Sequence, residues 1–162
     1  MLDLKNLEAI MQGLSAFSAH DEVERIVDDN KEVLTDLQRD QMMDGRSVDG
    51  DYIRPYYSEN TYFKSAAAAL KYAEWKQKIT PNELRPLDVP NLYINGRFHN
   101  SLKTVMNGDE FSIESDDIKG ASIFEEHKNA QGLDEDSRLK FATEITLPKF
   151  AEIFKEKTTF VL

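Results

Sequence analysis

Apolar residues recur every three or four positions at Val23, Ile26, Val27, Leu34, Leu37 and Met42, a stripe that predicts one helix from about Asp21 to Asp44. Asp21 and Glu22 suit the positive end of its dipole, and Gly45 is placed to end it. Upstream, Leu4, Leu7, Ile10, Met11 and Leu14 keep the same period, but Gly13 and Ser15 interrupt it, so residues 1–19 read as a separate helical extension and residues 20–162 as one domain. Residues 45–58 hold two Gly and one Pro with no sustained period, which predicts a loop. Helix resumes in this reading at Ser58 or Thr61 and continues through the run Ala66–Trp75, since Ala and Leu have high helix propensity. Pro81, Pro86 and Pro90 exclude a long regular element before Asn91.

Beyond Gly96 the period changes. The run Ser101–Met106, the dipeptide Asn107-Gly108 and the alternation of Phe111, Ile113 and Ser115 predict a hairpin turning through a type I′ Asn-Gly corner. A short helix over Ile118–His127 follows, closed by Gly132. Asp134 then caps a C-terminal helix carrying Leu139, Ala142, Ile145, Ile153 and Phe154, with Pro148 kinking or splitting it. The predicted class is α+β: long N-terminal helices and a C-terminal helix packed on a small antiparallel hairpin.

Composition supports a packed core, because 40% of the 162 residues are hydrophobic and nine Phe with six Tyr supply bulk. The absence of Cys excludes disulfides and thiolate metal sites and fits a reducing cytoplasm. Met1–Lys5 lacks the basic start of a signal peptide, and no apolar run reaches the roughly 18 to 20 residues of a membrane span, so a soluble chain without membrane contact is expected. The net charge of −10 is uneven: residues 1–50 carry five Lys or Arg against twelve Asp or Glu, while residues 51–100 carry seven against five. Two acidic thirds argue against a broad grip on nucleic acid.

Candidate chemistry is sparse. Gly45 and Gly50 have P-loop spacing, but Asp51 and Tyr52 stand where that motif needs Lys and Ser or Thr. The acidic pairs lack the 1,3,5 order of a calcium loop. His20, His99 and His127 have no paired ligand spacing, and Ser101 near His99 lacks the glycines of a nucleophile elbow. No catalytic residue, cofactor or metal ligand is therefore assigned. The most unusual segment gathers Tyr52, Tyr56, Tyr57, Tyr62 and Phe63 around Arg54, a composition that suits a buried partner surface or the domain's own core equally well.

The stretch Leu92–Ser101, with Asn95, Gly96, Phe98 and Ser101 as its marks, resembles the T-G-x-hydrophobic-x-x-S signature of tail-completion and head-tail joining proteins of tailed bacteriophages. Asn95 stands where that signature has Thr. In particular the chain is similar to small virion proteins of Bacteroidetes-infecting and crAss-like phages: a helix ending at Gly45, a Y-S-x-x-T segment at Tyr57–Thr61, the Gly motif at Asn95–Ser101 and a G-L-D start at Gly132–Asp136. The likeness spans roughly residues 33–157. Independently of it, Gly96 permits a turn that a β-carbon would hinder, Phe98 can pack inward and Ser101 can satisfy a local backbone group.

The resemblance implies a structural virion protein, made in the host cytoplasm, forming part of an oligomeric ring at the neck or tail joint with no chemistry of its own. Its partners would be copies of itself and adjacent neck or tail proteins, with at most transient contact with packaged DNA. Ring subunits need two different sticky faces, and Arg54, Tyr56, Tyr57 and Tyr62 are the candidate interface. Asp28, Asp29, Glu32 and Asp36 are candidate lumen-lining acids that would let DNA slide, although a merely solvated helix face reads the same. The alternative is an acidic host-directed inhibitor acting as a DNA mimic.

Overall fold

The stripe over residues 21–44 folds as two helices and not one. In the computed structural model, which describes residues 4–158, α2 spans Ala19–Asp29 and α3 spans Lys31–Met43. Asn30 breaks the run: its Nδ2 donates to the Ile26 carbonyl at 2.7 Å, and its backbone N–H turns instead to Val27 O at 3.1 Å. The side chain has taken the acceptor that the next helical turn needed. Gly45 does end α3 as expected. With φ at +70° it lets its own N–H reach Met42 O and the Arg46 N–H reach Gln41 O, both at 2.9 Å, the paired bonds of a Schellman stop.

Helix α1 (Leu4–Ala16) precedes these elements. After them come α4 (Ala66–Ile79), α5 (Arg97–Asn100), the strands β1 (Leu102–Asn107) and β2 (Glu110–Ser115), then α6 (Gly120–Glu126), α7 (Glu135–Phe141) and α8 (Leu147–Thr158). The fold is α+β, with β1 and β2 forming a two-stranded antiparallel sheet. The described chain groups into two compact units, the N-terminal residues to Asn30 with the C-terminal residues from Leu139, and Lys31–Arg138. The division expected after residue 19 does not coincide with this grouping.

In the first unit, α1 and α2 pack on α8. Gly13 does not interrupt α1. It lets the helix backbone approach α8, where a β-carbon would stand 2.8 Å from Lys157 O. Phe17 sets its edge against Phe150 and Phe154, at 5.6 and 5.2 Å between ring centres. The largely buried Glu22 accepts from Arg25 at 2.8 Å and pairs with Lys157, which holds its carboxyl below the usual range. Pro148 neither splits nor ends the C-terminal helix: residues Ala142–Thr146 widen into a π turn, with the Leu147 N–H donating to Ala142 O, and the chain stays helical beyond it. Met1, Leu2 and Asp3 lie outside the described residues, as do the side chains of Leu4, Leu7 and Ile10.

The second unit centres on Met42, Ile53, Phe98, Leu102, Ile113, Phe124 and Ala130. The hairpin forms, but its corner lies one residue later than the sequence predicts. Asn107 pairs with Glu110, leaving Gly108 and Asp109 as the two loop residues. Only Gly108 of these has positive φ (+66°), so the turn follows the II′ pattern with Gly first and not I′. Two glutamines of α3 bind the irregular chain: Gln38 donates to Ala130 O at 3.0 Å and accepts from Gly132 N–H at 2.8 Å. Gln41 donates to Gly132 O and accepts from the Asp134 N–H, at 2.9 and 2.8 Å. Asp134 caps α7 through the Ser137 N–H at 2.8 Å and pairs with Arg46 at 2.7 Å.

Candidate functional site

Helix α4 starts later than its composition suggests, at Ala66, because Ser65 caps it by accepting from the Ala68 N–H at 3.2 Å. The residues expected to begin it are held elsewhere. The Ser58 N–H and hydroxyl both bind the Asp88 carboxylate, and Asn60 donates to Glu126 at 2.7 Å while its own oxygen accepts from the Tyr62 N–H. Residues 57–63 therefore form turns whose rings lie across α4. Tyr57 is buried and meets Tyr72 and Phe63 edge-on, at 5.1 and 6.3 Å.

The inward stripe of α4 reads Ala69, Ala73 and Lys76 and continues into the C-cap Thr80, all buried. A lysine thus occupies a position where periodicity calls for an apolar residue. Lys76 is 2% exposed and its Nζ has no hydrogen-bond partner. Burial first, and the Arg85 charge second, push its amine down to about 8. Arg85 is itself 3% exposed and fastened by its terminal nitrogens to Val89 O at 2.8 Å, Thr80 O at 3.0 Å and Gln77 Oε1 at 3.1 Å. Those bonds replace regular structure across the proline-rich segment, and Asn91 adds a bond to Thr80 Oγ1 at 3.0 Å. The Arg85 Nε and the Tyr57 hydroxyl are also buried outside regular hydrogen-bond geometry, but the two groups interact with each other and the Asn91 backbone approaches the phenol.

An aromatic cavity of about 450 Å³ opens beside this cluster, lined by Tyr57, Tyr62, Phe63, Tyr72, Tyr93 and Lys76 among others. Burial raises the phenols of Tyr57 and Tyr72, so both are protonated near neutral pH. His127 also lines the cavity. Its Nδ1 donates to Arg54 O at 2.9 Å, and burial pushes its pKa down. His99 is likewise driven toward the neutral form by burial, with Nε2 bonded to Asn91 O at 2.9 Å. Leu92 borders the cavity in a left-handed conformation, φ +55°, which costs a non-glycine residue roughly 1 to 2 kcal/mol.

The Gly motif forms a turn beside a separate hollow, which Asn95, Arg97 and Phe98 line together with Ile118. Gly96 has φ +80° at the start of α5, and a β-carbon there would meet the Tyr93 hydroxyl oxygen at 3.1 Å. Asn95 accepts from the Arg97 N–H at 3.1 Å. Phe98 is buried edge-on to Phe124 at 5.3 Å, while the Ser101 hydroxyl donates to Phe98 O at 2.6 Å and lies 2.6 Å from Ser115 Oγ.

The Tyr-rich candidates divide. Tyr62 is 83% exposed and Tyr56 half-buried, with Arg54 lying 4.2 Å over the Tyr56 ring and paired with Glu59. Tyr57, offered by the sequence as an interface residue, is 7% exposed and packs in an aromatic cluster on α4. The four acids expected on one helix face lie on two helices: Asp28 and Asp29 end α2, whereas Glu32 and Asp36 stand on α3. Glu32 and Asp36 both pair with Arg39, at 2.9 and 2.7 Å, and Arg39 also donates to His99 O and Leu102 O.

The Gly45–Gly50 loop closes on an isolated bridge between Arg46 and Tyr52. Among the described residues no group of three or more His, Cys, Asp or Glu is placed to hold a metal ion, and no helix is long and apolar enough to cross a membrane. Sequence reasoning missed Lys76 and Arg85, although the spacing of Lys76 from Ala69 and Ala73 was a usable signal. No protein-family model matches the chain, and no match was found among curated proteins or solved structures.

Proposed function

We propose that this chain is a structural subunit that docks against other protein chains, as part of an oligomeric ring at the head-tail junction of a tailed phage. Its work in this reading is assembly, with no reaction of its own. The observation that supports docking is an apolar shelf in the Lys31–Arg138 unit. Ile118 is 90% exposed, Tyr62 83% and Ile94 64%. The aromatic cavity and a second hollow beside Ile118 share Leu92, Ile94 and Ile123, so these side chains border one continuous surface. Large apolar groups presented together are characteristic of surfaces buried against protein partners.

The ring and the phage setting rest on the resemblance carried by Asn95–Ser101 and its flanking segments. Neighbouring copies, and adjacent neck or tail proteins, are the partners this implies, with the cation-aromatic pair of Arg54 and Tyr56 at a rim. The DNA-mimic alternative needs rows of free carboxylates, and Glu32 and Asp36 are instead spent on Arg39. Sedimentation of the purified chain over a range of concentrations, with electron microscopy of its assemblies, tests the reading. Closed rings are expected, and Ile94→Asp combined with Ile118→Asp should dissolve them while leaving thermal unfolding of the subunit unchanged. A monomer at every concentration, absent also from purified particles, overturns it.

A further inference from the structure

We propose that the aromatic cavity of the Lys31–Arg138 unit binds a small carboxylic acid with a flat apolar body, its carboxylate paired with Lys76. Lys76 Nζ is buried with no hydrogen-bond partner, while the Tyr57 hydroxyl and the Arg85 guanidinium interact with each other. Lys76 and Tyr57 both line the cavity, and Arg85 is near enough for its charge to act on both. Buried polar groups are normally satisfied, and a buried ammonium that lacks an acceptor is completed by an anionic oxygen.

The chemistry of the walls narrows the ligand. Tyr57, Tyr72, Phe63 and Tyr93 offer ring surfaces suited to a planar apolar body. A volume of about 450 Å³ lies in the range of small-molecule sites and is too small for a packed helix. One negative charge fits better than two. The terminal nitrogens of Arg85 are committed to Val89, Thr80 and Gln77, so Lys76 is the cation free to pair. The Arg85 charge disfavours the charged form of Lys76 and His99 is held neutral, so an arriving carboxylate relieves a repulsion as well as pairing the ammonium. This inference does not depend on the ring reading, since a subunit of any assembly could hold such a ligand.

The test uses the full chain and two matched pairs of probes, benzoate with benzamide and indole-3-acetate with indole-3-acetamide, titrated by calorimetry and by NMR of the aromatic side chains. At least one acid should bind ten times or more tightly than its amide. Lys76→Met should retain a folded spectrum and lose that preference, while Tyr62→Ala, at an exposed position on the cavity wall, should weaken acid and amide alike. Equal binding of acid and amide, binding of neither, or a preference that persists in Lys76→Met overturns the assignment. Because the acid-amide comparison is made first on the unaltered chain, the outcome stands even where a variant fails to fold.

Discussion

Lys76→Met should stabilise the protein, against the usual direction of a substitution in a buried position. Met keeps most of the volume of the lysine stem and removes an ammonium that has no partner. The amine titrates at about 8 in the folded chain against 10.5 as the ordinary value, so below pH 8 the folded state carries a penalty of about 3 kcal/mol, at 1.36 kcal/mol for each unit of displacement. Relief of that penalty should raise the unfolding temperature by roughly 6 to 10 °C for a chain of this size.

The pH dependence separates this cause from simple repacking. Between the folded and unfolded pKa values the unfolded chain holds more protons, so wild-type stability rises with pH across the window from about 8 to 10.5. From pH 7.5 to 9.5 the gain attributable to Lys76 is about 2 kcal/mol, and the thioether of the variant has nothing to titrate. Arg85 is the charge acting on this cation; over that range its neighbour Tyr57 is held protonated by burial and His99 is neutral. Urea unfolding of both proteins at pH 7.5, 8.5 and 9.5 should show their difference shrinking as pH rises. A difference that stays constant with pH, or a destabilised variant at pH 7.5, would refute the claim that Lys76 is charged and unpaired.

Gly96→Val should lower stability by about 1 to 3 kcal/mol, because φ is +80° and the new side chain meets Tyr93; thermal unfolding and the Tyr93 NMR signals report it. Gly13→Ala sets a β-carbon 2.8 Å from Lys157 O, so α1 and α8 must part, and faster amide exchange confined to those helices is expected with a loss of about 1 to 3 kcal/mol. Gln38→Leu leaves Ala130 O and Gly132 N–H without the side-chain partner that now serves both, a loss of about 2 to 4 kcal/mol measurable by denaturant titration.

Much of the fold was legible because it depends on period and punctuation. The alternation around Asn107-Gly108 located both strands, and Gly45 marked the end of α3 through the one backbone conformation it supplies cheaply. The failures share another cause. Asn30, Ser58 and Asn60 redirect the chain with side-chain hydrogen bonds, to Ile26 O, Asp88 and Glu126 respectively, and apolar periodicity carries no information about such bonds. Gly13 looked like a helix breaker because its role lies in a contact with a segment far along the chain. The acids of α2 and α3 looked like one face only because the break at Asn30 was unseen.

The candidate site was the least legible part, for a reason that also bears on its meaning. A lysine on a buried stripe, a leucine in a left-handed conformation and an arginine sealed among backbone carbonyls each violate what local rules favour, and all three flank one stretch between α4 and α5. A fold selected for stability alone would place Met or Leu where Lys76 stands, as the coupling of burial to charge makes plain. Sites where several local rules fail together are where structure is being held for a purpose other than packing. The same cluster sets the unpaired Lys76 ammonium beside an open aromatic wall, so the strain and the missing acceptor have one economical explanation: the missing member is an anion supplied from outside the chain. That explanation predicts that ligand and Lys76→Met act on the same free energy. Bound carboxylate should raise wild-type stability at pH 7.5 and leave the Lys76→Met variant unmoved, and an equal ligand effect on both proteins would separate the stability of Lys76 from any binding role.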